Sequence, residues 1–85
     1  MKTTLSPVQE GLLIDAVWAC SQVACRRLPA GADAGRIRAY ADAIGASAAT
    51  ARAEVEHIAL SVRPSSQLGA TRLDVRAAVY RYLDH

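Results

Sequence analysis

Apolar residues recur along this chain at intervals of three and four, and nowhere do they alternate with polar ones over the length of a strand. That spacing predicts helices and no sheet. The first helix opens at Ser6-Pro7-Val8-Gln9, which supplies a capping serine, a proline at the first helical position and a glutamine three residues after the cap. It is expected to run to about Arg27. Leu12, Ala16, Ala19 and Val23 form one stripe and Leu13, Val17, Cys20 and Ala24 the next, a surface wide enough to be buried on more than one side.

Leu28-Pro29-Ala30-Gly31-Ala32 reads as a connector, and Asp33 can cap the next helix. That second helix fits Ala34 to Ile44, with Ile37, Ala41 and Ile44 inward, Tyr40 beside them, and Arg36, Arg38 and Asp42 outside the stripe. Gly45 suits a left-handed helix end and Ser47 a new helix start, so the alanine-rich run from Tyr40 to Val55 breaks into two helices. The third helix, Ala48 to about Val62, turns Ala51, Val55, Ile58 and Val62 inward before Pro64 ends it. After a polar loop, Thr71 with Asp74 opens a last helix over about 71–84, with Val75, Ala78, Val79, Tyr82 and Leu83 on its apolar side. The fold class is therefore all-α, a compact bundle of four to five helices in a single domain.

Length changes that picture by adding a partner. At 85 residues and 52% apolar composition, the chain collapses but buries only about 60% of its unfolded surface, so a second copy is a natural cover for the remainder. The last helix is the expected dimer interface, through Val75, Val79, Tyr82 and Leu83, because those residues come after a core already built from three helices. The wide stripe of the first helix is the other possibility. Trp18, Tyr80 and Tyr82 read as core or interface anchors.

Net charge is only +2, but nine of the ten basic residues are arginine. Up to Asp33 three bases offset three acids, and from Arg36 onward seven arginines face five acids, so the excess sits in the later part of the chain. Cys20 and Cys25 point about 140° apart on one helix, with a rise of about 7.5 Å, which excludes a bridge within it. No apolar leader and no stretch of about 20 apolar residues is visible. A reducing, cytoplasmic setting is expected, with no membrane partner.

Catalytic chemistry finds little support. No serine stands in a nucleophile-elbow context, no glycine loop could cradle a phosphate, and His57 has only the C-terminal His85 for company. The cysteine and histidine spacings match no zinc pattern. Neither an enzyme, a small-molecule substrate, a metal nor a cofactor is expected.

The central pair of helices carries the functional signal. Ala41, Ile44, Gly45, Ser47, Thr50 and Arg52 resemble the helix-turn-helix of DNA-binding transcriptional repressors: a small residue for close approach, a bulky one sealing the corner, glycine at the turn, then Ser, Thr and Arg. The chain departs from that pattern at Ala46 and Ala51, where larger apolar residues are usual, and at Glu54, where an apolar residue is usual and Val55 comes one place late. A register one residue away stays open. In size and layout the chain is similar to the small Kor-type repressors of plasmids and phages.

That resemblance implies a homodimer on a palindromic double-stranded DNA operator. It places Ser47, Ala48, Ala49, Arg52, Ala53 and Glu56 toward base edges, with Arg52 bidentate to guanine, Glu56 accepting from cytosine and the alanines against thymine methyls. Phosphates would be gripped by Arg36 and Arg38 at the start of the preceding helix, by Thr50, and by Arg63, Ser65 and Ser66 beyond the third helix. The competing expectation is a small helical protein-interaction module, an adaptor or inhibitor built like a death-domain bundle.

Overall fold

The computed structural model describes residues 4–84, so Lys2 and His85, which enter the charge balance and the metal argument, lie outside the described residues. It consists of four helices, α1 (Pro7–Ala24), α2 (Ala34–Ile44), α3 (Ala48–Leu60) and α4 (Arg72–Leu83), with no strand among the described residues. The helices α1 and α3 form the centre. Each packs against α2 on one side and α4 on the other, while α2 and α4 do not pack against each other.

Helix starts obey their local chemistry. Ser6 Oγ accepts from the Gln9 amide at 3.2 Å while the Ser6 amide donates to Gln9 Oε1 at 2.9 Å, so two orphan donors are satisfied reciprocally. The Gln9 side chain also donates to the Ala43 carbonyl at 2.9 Å, tying the start of α1 to the end of α2. Thr71 and Asp74 form the second capping box. Here the Asp74 carboxylate also accepts from the Ser65 amide at 3.0 Å and the Ser65 hydroxyl at 3.1 Å, fixing the loop before α4. Those backbone hydrogen bonds, Thr71 first, hold the Asp74 carboxyl below its ordinary range.

Two helices stop earlier than the periodicity suggests. In place of continuing to Arg27, α1 ends at Ala24 because Arg26 turns left-handed with φ 61°. The Arg27 amide then reaches back to the Gln22 carbonyl at 2.8 Å. Helix α3 ends at Leu60, where the Ser61 hydroxyl donates to the Ile58 carbonyl at 2.7 Å ahead of Pro64. At the α2 end, Gly45 is left-handed with φ 70° and ψ 28°, and the Ala46 amide closes onto the Ala41 carbonyl at 3.0 Å. These are the contacts that let a three-residue turn reverse the chain.

The core takes Leu13, Ala16 and Val17 from α1, Ile37, Tyr40 and Ala41 from α2, Ala51, Val55 and Ile58 from α3, and Val75, Ala78 and Val79 from α4. Four of these twelve are alanines, which keep helix axes close. One expectation is corrected here. Val75 and Val79 are both 0% exposed, so the apolar stripe of α4 is consumed by the chain's own core and no partner subunit can reach them. Tyr82 and Leu83 are half-buried, and the outward side of α4 instead carries Leu73, Arg76, Ala77 and Tyr80.

A β-carbon at residue 45 meets open space but is held in the left-handed region. Gly45→Ala is expected to cost about 1 kcal/mol or more, lowering Tm by about 4–8 °C per kcal/mol in a domain of this size. Gly45→Asn should lose less. Thermal melts monitored by circular dichroism decide the order, and an unchanged midpoint for the alanine variant contradicts the turn geometry.

Candidate nucleic-acid interface

The turn 45–47 places α2 and α3 against one another with small side chains at the contact. Ala41 and Ala51 are buried, Ile44 is half-buried, and Val55 is fully buried. Ser47 Oγ accepts from the Thr50 amide at 3.1 Å and donates to Thr50 Oγ1 at 2.9 Å. The two hydroxyls expected near a nucleic acid are thus already joined to each other, and both residues remain exposed.

On the outward side of α3, Ala48, Ala49, Ala53 and Glu56 are all exposed. Ala49, Ala53, Glu56 and Leu60 stand at i, i+4, i+7 and i+11, so the face runs the length of the helix and ends on Leu60, 89% exposed. Arg52 stands at the rim. Its guanidinium lies 3.5 Å from the Asp33 carboxylate and 3.7 Å from Glu56, separations at which attraction persists but hydrogen-bond directionality is weak. Asp33 does not cap α2 as its position suggests; its side chain makes no capping hydrogen bond and is only 6% exposed beside Arg52. Sequence alone does not pair residue 33, at the start of α2, with residue 52 in the middle of α3.

Glu54, the departure from the repressor pattern, has a physical explanation. Its carboxylate accepts the Tyr40 hydroxyl of α2 at 2.6 Å and the Tyr82 hydroxyl of α4 at 2.7 Å. An acid on the inner side of a helix must be paired, and these phenols pair it. With Ala51, Val55 and Ile58 buried, the inward register is the one that periodicity gives, and Glu54 lies at its edge. Burial first, and then the hydrogen bond to Glu54, push the Tyr82 phenol up to about 12 and raise Tyr40 as well. His57 is exposed and meets the Tyr82 ring edge-on, with centroids 6.0 Å apart.

The expected phosphate contacts separate into two groups. Arg38 and Arg63 are exposed and make no ion pair among the described residues. Arg36 does not stand free: its Nε lies 3.2 Å from Asp15, which also holds Arg72 at 3.1 Å, and both guanidinium groups lie near the Trp18 ring, at 5.9 and 4.3 Å from its centre. Trp18 is thus half-buried under two arginines instead of sunk in the core. Ser65 spends its amide and hydroxyl on Asp74, and Ser66 Oγ accepts from the Leu68 amide at 2.9 Å. Both serines serve the loop and both remain exposed, Ser66 with its hydroxyl proton still free to donate.

Cys20 is half-buried and Cys25 exposed, and both are free thiols. Burial pushes the Cys20 thiol up, away from thiolate chemistry. Among the described residues no three His, Cys, Asp or Glu side chains gather as a metal site would require, and no helix is long and apolar enough to cross a membrane. Comparison with known proteins gave no matching family model, curated protein or solved structure.

The paired groups lead to two expected outcomes. Because the folded-state phenols are raised above their unfolded value of about 10, their stability contribution is complete below that pH and is lost as pH climbs toward 12 and beyond. Ultraviolet titration should show phenolate forming late in the folded chain, and Glu54→Gln should move it to lower pH; an unmoved curve contradicts the clamp. Separately, Arg52→Ala leaves the Asp33 carboxylate without its cation. The loss is expected at about 1–2 kcal/mol, the low end for such a pair because solvent reaches Arg52. In a urea-unfolding cycle, Arg52→Ala with Asp33→Asn should lose less than the sum of the two single changes.

Proposed function

We propose that this chain is a sequence-specific double-stranded DNA-binding protein, a helix-turn-helix transcriptional repressor working as a homodimer on a palindromic operator in a reducing, cytoplasmic setting and carrying no catalytic function. The observation that carries this reading is the pair α2 and α3 about the left-handed Gly45, with α3 turning a face of three exposed alanines and the rim residue Arg52 to solvent. In a repressor of this kind the second helix lies in the major groove. Alanines at 48, 49 and 53 then give close approach and contact with thymine methyls, while Arg52 leaves its loose pairs with Asp33 and Glu56 to meet a guanine edge. Arg38 and Arg63 are the cations available to phosphate without first giving up an acid.

Arg36 plays a different part in this scheme, holding the first helix of the unit to Asp15 of α1. Glu56 beside Arg52 adds negative charge to the face and opposes non-specific adhesion, so binding depends on the match of a particular base step. A second reading, a protein-interaction module, is favoured by one observation: Leu60 stands 89% exposed at the far end of the same face. Retention on a heparin or DNA column at low salt separates the two.

Selection of bound sites from random duplex DNA should return a palindrome, with affinity falling steeply as salt rises. Ala49→Glu is the decisive variant. A glutamate in the first turn of α3 suits the helix dipole, so the fold should hold while operator affinity falls about tenfold or more, about 1.4 kcal/mol. Arg52→Ala should cost about 1–3 kcal/mol of specific affinity and largely spare non-specific binding. Gel shifts in which both variants match the wild type overturn the assignment of this face.

A further inference from the structure

The outward side of α4 places Leu73, Arg76 and Tyr80 at i, i+3 and i+7, with Leu73 75% and Tyr80 39% exposed. Facing them across an open groove, the first half of α1 presents Pro7, Gly11 and Ile14 at i, i+4 and i+7. Neither α2 nor α3 contributes to this groove. Large apolar side chains left outward on the α4 side of such a groove call for a cover.

Two features say what the cover is. The first is Gly11. It stands in the interior of α1, its backbone is not left-handed, and a β-carbon there would meet nothing within 4 Å. Glycine weakens a helix interior relative to alanine, and neither strain nor packing within this chain calls for it; its bare, exposed backbone leaves room for the close approach of another. The second is charge. Glu10 lines the α1 side and Arg76 the α4 side, and neither has an ion-pair partner among the described residues. Arg76 is left to its own helix neighbour, donating to the Tyr80 hydroxyl at 3.0 Å. A surface carrying both signs on opposite sides matches itself under two-fold rotation, whereas a surface of one sign repels its copy.

We propose that the groove between α1 and α4, floored by Gly11 and flanked by Leu73 and Tyr80, is the homodimer face, and that its occupant is the same groove of a second copy. Glu10 of each copy meets Arg76 of the other, and Gly11 lets α4 of the other copy approach α1 closely. A standard interface takes about 800 Å² from each partner, about a seventh of the 5403 Å² surface of this chain, so the contact extends beyond the groove onto the flanking sides of α1 and α4. The proposal rests on the dimeric part of the repressor function and supplies its geometry, replacing the buried Val75 and Val79; the outward face of α3 stays free.

Sedimentation equilibrium of the whole chain over a range of concentrations tests it, with Leu73→Glu and Gly11→Gln as variants. Both positions are open to solvent, the glutamate falls in the first turn of α4, and the glutamine favours its helix over glycine, so circular dichroism should report an intact fold for each. The expected result is a dimeric wild type and at least a tenfold rise in dimer dissociation constant for each variant. A dimer that both folded variants leave unchanged overturns this face and leaves the dimeric repressor standing. A wild type that stays monomeric to its solubility limit overturns self-association itself.

Discussion

The rest of the fold depends on one carboxylate. Glu54 on α3 takes a hydroxyl from each of the two helices that do not pack on one another, Tyr40 of α2 and Tyr82 of α4. The other central helix repeats the device with different chemistry: Asp15 on α1 takes a guanidinium from each flanking helix, Arg36 and Arg72. Each central helix thus offers one acid, and each flanking helix answers with one donor to either side. The magnitudes differ. Short hydrogen bonds to a half-buried carboxylate contribute about 1.5–3 kcal/mol each, whereas partly exposed ion pairs contribute about 0–1 kcal/mol. The tyrosine clamp therefore sets the geometry, and the arginine clamp trims it.

This arrangement bears directly on α3. Its inner side is fixed by Ala51, Val55 and Ile58 in the core and by Glu54 at the edge, so the helix has one rotational setting. The outward residues Ala49, Ala53 and Glu56 are then determined as well, without any contact of their own with the core. Arg52 sits where the inner and outer sides meet, and its attraction to the buried Asp33 holds the start of α2 against the middle of α3. One side chain thus serves the stability of the helix pair and stands nearest the surface through which the pair would act. Its removal mixes the two effects, and Ala49, which supports nothing inside the chain, separates them.

Much of this was legible from local signals. Ser6 with Gln9, Thr71 with Asp74, and Gly45 with Ser47 each act within three residues, and each forms the cap or turn its chemistry dictates. Interactions over distance were not legible. Glu54 looks like a flaw in an apolar stripe until Tyr40 and Tyr82, 14 and 28 residues away, supply its hydrogen bonds. Asp33 looks like a helix cap until Arg52 draws its carboxylate aside. The stripe on α4 reads equally well as core or interface, because periodicity shows that a face is apolar and not whether the cover is the same chain. Early ends of α1 and α3 were hidden for a related reason: a left-handed arginine at 26 and a serine hydroxyl at 61 override apolar spacing that would have carried each helix further.

An alanine face makes particular demands on the scaffold behind it. Long side chains find a partner by reaching and can absorb a small error in the backbone; methyl groups cannot, so contact through Ala48, Ala49 and Ala53 occurs only if the helix itself is brought to the right depth and angle. Binding through such a surface loses little side-chain entropy, because alanine has none to lose, but it places the whole burden of accuracy on the packing beneath. The polar clamps answer that burden. A hydrogen-bonded carboxylate is directional where apolar contact is not, so Glu54 between two phenols resists rotation of α3 in a core whose alanines would otherwise permit it to slide. In a bundle this small, two donors converging on Glu54 hold α3, and two more converging on Asp15 hold α1 behind it.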